Sequence, residues 1–225
     1  MTPGSTEQWS YTFLMSSLPP MPPRFDVARL PISAAALEER LSRLAEQDLR
    51  LVEQMRDLLF WDRMDLAATD EEVLGRWKTF LNTARNGVAR EIVSLRMDVR
   101  TIVAALRSRR RGLPLPASFS PWMPTIRRNL GEPSLGLGTR FPWIATLDRY
   151  LAEGNVDDAD RLLLGNIYEQ WSRLAAGRPA SLEAVLLYVA RWDVIHRFVS
   201  RDRQRGEQRM ELLVTEAIGD YRRLF

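Results

Sequence analysis

The chain has 225 residues, of which 45% are hydrophobic and 27% are charged, and its formal net charge is only +3. This composition is typical of a folded globular protein and excludes global disorder. The chain has no cysteine and one histidine, which excludes disulfides, cysteine nucleophiles and a multi-histidine metal site.

Two features of the composition bear on location and partners. The N-terminus lacks the basic and small-residue pattern of a secretory signal, and no apolar run approaches the roughly 20 residues of a membrane-spanning helix. We therefore expect a soluble, cytoplasmic protein.

Lys78 is the only lysine, so 31 of the 32 basic residues are arginine. This bias reflects either the base composition of the genome or arginines selected for bidentate contacts at interfaces.

The first segment is apolar and ends in a cluster of prolines. Residues 9–18 form a short helix or a strand, because a run this short does not separate the two periodicities. The prolines of residues 19–23 predict an extended connector. We expect Tyr11, Phe13 and Leu14 to dock the segment onto the core.

A first helical region begins after the proline connector. Ser33 is a candidate N-cap for a helix that carries Leu37, Leu41 and Leu44 at spacings of four and three. The apolar pattern pauses near residues 45–47 and then continues to Trp61. This pattern indicates one bent helix or two short ones.

The next region has the pattern of one long helix over about residues 70–110. Thr69 and Glu72 have the spacing of a capping box, and apolar residues then recur every three or four positions as far as Leu106. An arginine-rich end and Gly112 are typical of a helix C-terminus. A helix of this length suggests a stalk-like or bundle-spanning element.

The rest of the chain divides into a connector and a helical region. Residues 112–140 are rich in proline and glycine and predict little regular structure beyond a helical turn near residues 125–130. Four further helices are predicted to begin near Phe141, Val156 and Ser181 and after Gly206.

The predicted fold class is therefore all-α, an elongated helical bundle with one long helix and a C-terminal cluster of helices. Three regions are expected: an N-terminal arm with the long helix over 1–111, the connector over 112–140, and a C-terminal bundle over 141–225. We expect the first and third regions to pack together as one domain.

The residue types that catalysis requires are scarce. Lys78 lies in a helical stripe with no glycine-rich turn before it, so the phosphate-binding loop motif is absent. Gly131, Gly136 and Gly138 are interpreted as turn glycines because no strand precedes them. We therefore predict no catalytic residue and no bound cofactor.

The single histidine and an acidic cluster are further candidate sites. His196 is interpreted as a structural residue at a bundle edge, because the sequence offers it no catalytic partner. Asp157, Asp158 and Asp160 follow a helix start, where carboxylates complement the helix dipole, and they do not have the spacing of a calcium loop. We predict no metal site.

The run from Arg107 to Arg111 is the only dense basic stretch. It could contact phosphates, with Trp122 stacking on a base. Cations at a helix C-terminus also complement the dipole, and the chain has no face-wide basic stripe. The sequence therefore disfavours nucleic-acid binding.

Three groups of segments resemble an uncharacterised bacterial family encoded beside the genes of V/A-type ATPases. They are Tyr11 to Pro19, Phe80 to Asn86 with Arg96, and Ser181 to Tyr188 with residues 195–197 and 212–214. That family is similar to a shortened form of the all-helical central-stalk protein that seats the rotating stalk on the membrane rotor ring. The resemblance implies membership of, or service to, an ion-transporting rotary ATPase, and it carries over no catalytic, nucleotide or metal residue.

The sequence hypothesis is a non-catalytic helical subunit or accessory protein of a V/A-type rotary ATPase, with a possible role as the connector between stalk and rotor. Its expected partners are central-stalk or rotor-ring proteins, so it would lie in the cytoplasm or at the inner face of the membrane. The alternatives are a free-standing adaptor or assembly factor, an enzyme that uses carboxylates alone, and a nucleic-acid binder.

Ten aromatic or basic residues are candidate interface residues, and they lie in the N-terminal arm, at the arginine-rich end of the long helix, in the connector and on the helix that begins near Ser181. Core packing remains the favoured interpretation of Tyr188 and of Trp192 on the same helix. The ten candidates are Tyr11, Phe13, Arg107, Arg109, Arg110, Arg111, Trp122, Tyr188, Arg191 and Arg197.

Overall fold

The computed structural model describes residues 11–59 and 70–201. This part of the chain contains nine helices and no β-strand, which confirms the all-α prediction. The predicted helix after Gly206 and the capping residue Thr69 lie outside the described residues. The helices, in chain order, are α1 (11–17), α2 (Ala34–Leu41), α3 (Glu46–Leu59), α4 (Asp70–Thr83), α5 (Gly87–Arg111), α6 (Met123–Arg128), α7 (Ile144–Ala152), α8 (Val156–Ala175) and α9 (182–201).

The structure distinguishes between the alternatives near the N-terminus. The segment before the prolines is helical from residue 11 to 17. The region after Ser33 forms two short helices, because α2 ends at Leu41 and α3 begins at Glu46. The Ser33 side chain accepts a hydrogen bond from the Ala36 amide at 3.3 Å, as expected of an N-cap.

The predicted long helix is present, but it is shorter than the pattern indicated. The span over residues 70–110 is divided by an irregular stretch at residues 84–86 into α4 and α5. Asn86 has an extended backbone, and its side chain accepts a hydrogen bond from the Ala89 amide at 3.0 Å, so it starts a new helix as an N-cap. The 25 residues of α5 span about 37 Å.

The C-terminus of α5 ends where the sequence indicated. Gly112 has a φ of 64°, and the amide of Leu113 donates to the carbonyl of Ser108. This left-handed conformation suits glycine, which has no Cβ to clash.

The connector over residues 112–140 is more ordered than predicted, since much of it packs on the core. It contains α6, and its buried apolar side chains are Met123, Ile126, Leu135 and Leu137. Asp98 of α5 fastens it by accepting hydrogen bonds from the Ser120 hydroxyl at 2.7 Å and the Trp122 indole at 2.9 Å. Burial is the largest influence on the Asp98 carboxyl and raises its pKa, against the lowering effect of those two bonds.

Helix α9 forms the centre of the fold. All seven residues from Ala184 to Ala190 are buried, so this stretch is enclosed on every side. Such a helix must be covered by several neighbours. Trp192 of α9 donates its indole N–H to the Ile32 carbonyl at 2.9 Å, and Phe198 packs edge-on against Phe25 at 5.3 Å between ring centres.

A buried ion pair joins α3 to α9. The Arg56 guanidinium donates two parallel hydrogen bonds to the Asp193 carboxylate, at 3.0 and 2.9 Å, and a third to Glu38 at 2.6 Å. Burial disfavours the charged guanidinium most strongly, but the two carboxylates outweigh it and leave the pKa of Arg56 raised. The guanidinium also lies 5.9 Å from the ring of Trp192.

Candidate functional site

A cleft of about 610 Å³ is lined mainly by residues of α5 and α8, with further residues from α4, α9 and the segment 116–118. Its volume is within the range of ligand-binding pockets. The described lining contains four arginines and one aspartate. We call this feature the arginine cleft and define it by Arg96, Arg100, Arg107 and Arg197 with the opposite wall of α8.

The first wall of the arginine cleft is the basic face of α5. Arg96, Arg100 and Arg107 are spaced by four and seven residues, so they lie within about 40° of one another around the helix. They extend over about 16 Å of the helix axis. Arg197 adds a fourth guanidinium from α9.

Contacts within the fold fix the inner two of these side chains. Arg96 donates from Nε to the Leu59 carbonyl at 2.6 Å. The Arg100 guanidinium lies 5.2 Å from the ring centre of the buried Trp77, where the ring face attracts a cation.

Arg107 lies at the exposed end of this face. It makes no ion pair with any residue in the described ranges 11–59 and 70–201. Its charge is therefore free to act on a bound group.

The second wall, from α8, is apolar. Leu163, Leu164 and Ile167 lie on it, and Leu74 of α4 lines the same cleft. The single acidic residue in the described lining, Asp160, is paired with Arg201 of α9. Arg201 therefore already balances the charge of this carboxylate.

A short hydrogen bond holds the edge of the cleft. The hydroxyls of Thr101 and Ser118 are 2.5 Å apart, which ties the segment 116–118 to α5. The position of this edge therefore depends on the connector.

The structure brings together two of the ten predicted interface residues, Arg107 and Arg197, in the arginine cleft. The neighbouring arginines have other roles. Arg109 and Arg110 both form ion pairs with Asp148 of α7, each at 2.6 Å. Arg109 also donates to the Glu132 carbonyl at 2.6 Å. These two side chains fasten α5 to α7 and the connector, whereas Arg111 is exposed outside the cleft.

The two N-terminal candidates, Tyr11 and Phe13, have different surroundings. Tyr11 donates its hydroxyl to Asp48 at 2.6 Å and is half-buried, and Leu14 is buried, so both dock α1 as expected. Phe13 is 64% exposed, and the expectation that it docks on the core is wrong. Phe13 and Leu14 are consecutive in the short helix and therefore lie on different faces of it, and the face with Leu14 is the buried one.

Trp122 has a structural role in the described chain. It is half-buried, donates its indole N–H to Asp98 and packs edge-on against Phe141 at 5.5 Å. These contacts within the fold are sufficient to explain an aromatic residue at this position. They do not require the ring to stack on a base or to contact a partner protein.

Tyr188 and Trp192 belong to the core, as the favoured interpretation of their helix predicted. The Tyr188 hydroxyl is buried and has no hydrogen-bond partner among the described residues. Burial raises the pKa of Tyr188 to about 12, although the charges of Arg191 and Arg40 oppose the shift.

Arg191 lies beside these aromatic residues. It is half-buried and donates from Nε to the Leu187 carbonyl at 3.1 Å. Burial is the main cause of its lowered pKa. Its surroundings in the fold are inconsistent with a freely accessible interface residue.

His196 stacks on Trp192, with ring centres 4.9 Å apart and planes 15° apart. Within the described residues, no group of three or more histidine and acidic side chains could hold a metal ion. The carboxylate nearest to it in sequence, Asp193, is bound to Arg56. The structural interpretation of His196 therefore agrees with its contacts.

Arg100 was not predicted as a site residue, and Arg96 was named only for the family resemblance. A signal was available, because Arg96, Arg100 and Arg107 share one face of a helix. The apolar wall had no such signal, since α8 lies more than 40 residues further along the chain and is brought to α5 only by folding.

Comparisons with known proteins found no family model that matches the sequence, and neither a curated protein nor a solved structure matched it. The class that the fold itself defines is an all-helical protein with a basic cleft. Of the helices in residues 11–59 and 70–201, none combines the length and the apolar character needed to cross a membrane.

Proposed function

We propose that this chain is a non-catalytic, protein-binding component of a V/A-type rotary ATPase, either a subunit or an accessory protein. The observation that carries the binding role is the arginine cleft, which places four guanidiniums opposite an apolar wall. Arginine is enriched at protein interfaces. The assignment to the ATPase rests on the resemblance of the segments around Tyr11, Phe80 and Ser181 to the family encoded with such enzymes.

The partners in this proposal are proteins of the central stalk or the rotor ring, reached from the cytoplasmic side of the membrane. The ion pairs of Arg109 and Arg110 with Asp148 support a scaffold role, because they hold α5 and α7 together. A firmly held helix presents its arginines at fixed spacing, which favours recognition of one partner geometry.

Affinity purification of the tagged full chain from its native host tests the proposal. We expect ATPase subunits in the eluate, identified by mass spectrometry, in constant ratio to the bait over successive washes. A tagged, unrelated protein of similar net charge controls for capture by arginine. An eluate without ATPase subunits, from a lysate that contains them, contradicts the proposal.

The same preparation separates a permanent subunit from an assembly factor. A subunit remains with the complete, active complex on size exclusion. An assembly factor is found only in fractions that contain incomplete complexes.

A further inference from the structure

Two arginines and two tyrosines lie together where α2, α8 and α9 meet the segment 17–22. Arg40 belongs to α2, Tyr168 to α8, and Tyr188 and Arg191 to α9. Tyr188 and Arg191 are three residues apart, so they are neighbours on the surface of their helix. Arg40 and Tyr168 both donate hydrogen bonds to backbone carbonyls of the segment 17–22. We call these four residues the Arg–Tyr cluster.

The hydroxyl of Tyr188 is the buried end of this cluster. Tyr188 is 2% exposed, and its hydroxyl has no hydrogen-bond partner in residues 11–59 and 70–201. The charges of Arg191 and Arg40 act to lower the pKa of this hydroxyl, against the larger effect of burial, so both guanidiniums lie near it. A guanidinium has no acceptor atom, so neither arginine can accept a hydrogen bond from the hydroxyl. A buried hydroxyl without an acceptor is unfavourable.

The two arginines of the cluster have no acidic partner within the described residues. Neither Arg40 nor Arg191 forms an ion pair there. The one hydrogen bond of Arg191 in the described chain runs from Nε to the Leu187 carbonyl at 3.1 Å, so its terminal nitrogens remain available. Arg40 donates from Nε to the Ser17 carbonyl at 3.1 Å and from Nη1 to the Ala36 carbonyl at 3.0 Å, which leaves Nη2 available.

The carboxylates nearest in sequence to these arginines are bound to other groups. The Arg56 guanidinium binds both Glu38 and Asp193. Glu39 lies 3.7 Å from the guanidinium of Arg43. The cluster therefore contains two half-buried positive charges that no carboxylate of the described chain balances, and a bound anion would stabilise this arrangement.

We infer that the Arg–Tyr cluster is a binding site for a phosphate group, with Arg40, Arg191 and the Tyr188 hydroxyl as its hydrogen-bond donors. A phosphate group carries a charge of about −1.5 to −2 at pH 7, which matches two guanidiniums. Its oxygens accept hydrogen bonds from donors in several directions, and a guanidinium can bind two of them at once. Burial keeps the pKa of Tyr188 near 12, so the hydroxyl is protonated at neutral pH and can donate.

A carboxylate or a water molecule suits the cluster less well. A carboxylate carries one negative charge and balances only one of the two guanidiniums. A water molecule would accept a hydrogen bond from Tyr188 but would leave both charges unbalanced. Because Arg40 and Arg191 are half-buried rather than enclosed, a free phosphate ion or the phosphate end of a small molecule can reach them from solvent. The inference goes beyond the proposed function and does not depend on it.

Thermal unfolding of the full chain at constant ionic strength measures binding, because a ligand of the folded state raises the unfolding midpoint. The probes are inorganic phosphate, glycerol phosphate and acetate in a buffer of Tris and chloride. We expect a phosphate probe to raise the midpoint in a saturable way, with a Kd below about 1 mM. Exclusion of phosphate from the protein surface also stabilises folded proteins, but that effect does not saturate.

The two phosphate probes distinguish the possible sources of the group. Tighter binding of glycerol phosphate assigns the site to phosphorylated small molecules, whereas inorganic phosphate that binds at least as tightly assigns it to the free ion. Acetate that binds as tightly as phosphate, or no saturable shift with either phosphate probe up to about 10 mM, overturns the inference.

Arg191→Gln is the first test variant, and Arg90→Gln is its matched control. Both substitutions remove one positive charge, but Arg90 is exposed on α5, outside the cluster. We expect Arg191→Gln to weaken phosphate binding at least about tenfold, because it removes a charged donor, and Arg90→Gln by less than about twofold. Arg40→Gln should act like Arg191→Gln. Equal effects of the Arg191 and Arg90 variants would place the bound phosphate elsewhere and overturn the inference.

Tyr188→Phe tests the buried donor and separates phosphate from water. Without phosphate, this variant should be at least as stable as the native chain, because the lost hydroxyl has no partner in the described residues. Its affinity for phosphate should fall about fivefold, because one donor is lost. Tyr168→Phe is the control, since that hydroxyl donates to the Pro22 carbonyl, and it should change the affinity by less than about twofold. Unchanged phosphate affinity in Tyr188→Phe contradicts the inference.

The two proposals fail in different ways. Absence of phosphate binding removes the site at the Arg–Tyr cluster and leaves the proposed function. An eluate without ATPase subunits removes the proposed function and leaves the phosphate site.

Discussion

Two arginines in this fold have opposite surroundings. Arg56 is 4% exposed and is surrounded by the carboxylates of Asp193 and Glu38. Arg107, in contrast, is exposed and makes no ion pair with a residue in the ranges 11–59 and 70–201. The number of arginines in the chain therefore says little about their role, which is decided by the acidic groups around each one.

The comparison also explains where stability is concentrated. A buried charge that loses its partner is costly, because no water replaces the lost contact. Loss of the charge of Arg107 costs little, because the side chain is exposed to solvent. Four substitutions test these two arginines and two other groups of the fold, and they are given from the largest expected effect on stability to the smallest.

Asp193→Ala should destabilise the fold most, by about 3–5 kcal/mol, because it leaves the buried Arg56 guanidinium without its main partner. Denaturant unfolding followed by circular dichroism measures the change. Glu38→Gln is the control, since its carboxylate is half-exposed and its removal should cost less. A loss below about 1 kcal/mol for Asp193→Ala would show that the pair is not a stabilising link.

Tyr188→Phe should stabilise the fold by about 1 kcal/mol, because it removes a buried hydroxyl that has no hydrogen-bond partner in the described part of the chain. Tyr168→Phe is the matched control. The Tyr168 hydroxyl donates to the Pro22 carbonyl, so its removal should destabilise by about 1 kcal/mol. Thermal unfolding of the two variants should therefore shift in opposite directions, and a shift in the same direction contradicts the assignment.

Asp98→Asn should change the pH dependence of stability. Its raised pKa means that the folded state holds more protons than the unfolded state between the ordinary value of 3.8 and the raised one. The stability contributed by Asp98 is therefore greatest at low pH and falls as pH rises through that window. Asparagine does not titrate, so the stability of the native chain relative to the variant should fall over the same range.

Unfolding curves at a series of pH values between about 3 and 7 measure this effect. Asparagine has one acceptor oxygen, which can keep the bond from the Trp122 indole, and its amide NH2 can donate to the Ser120 hydroxyl in place of the native bond. A difference between the two proteins that is independent of pH would contradict the assignment.

Arg107→Glu should have the smallest effect on stability, within about 0.5 kcal/mol, because the side chain is exposed and has no ion pair within the described chain. Its unfolding midpoint should match that of Arg111→Glu. A loss of stability above about 1 kcal/mol would show that Arg107, like Arg56, is a structural residue.

The fold class was predictable because apolar residues recur at helical spacing along most of the chain. The caps at Ser33 and Gly112 were also predictable, since they depend on local chemistry. The break before α5 was missed because Phe80, Ala84 and Val88 keep a spacing of four across it. Asn86 was a local signal for the new helix that the prediction did not use.

The candidate site was predictable only in part. One side of the arginine cleft lies on a single helix, so Arg96, Arg100 and Arg107 form a pattern that sequence can show. The other side and the burial of Tyr188 follow from how distant helices pack, which no local pattern encodes. Phe13 illustrates the same limit, because its apolar character did not reveal which face of α1 meets the core.

The enclosure of α9 has a consequence for how the protein is made. Within the described chain, the helices that cover residues 184–190 all precede them, so those helices leave the ribosome before the segment they must surround. Until residue 201 has been synthesised, the earlier helices enclose an incomplete core with exposed apolar surface. The nascent chain should therefore be a substrate for chaperones until α9 has been synthesised.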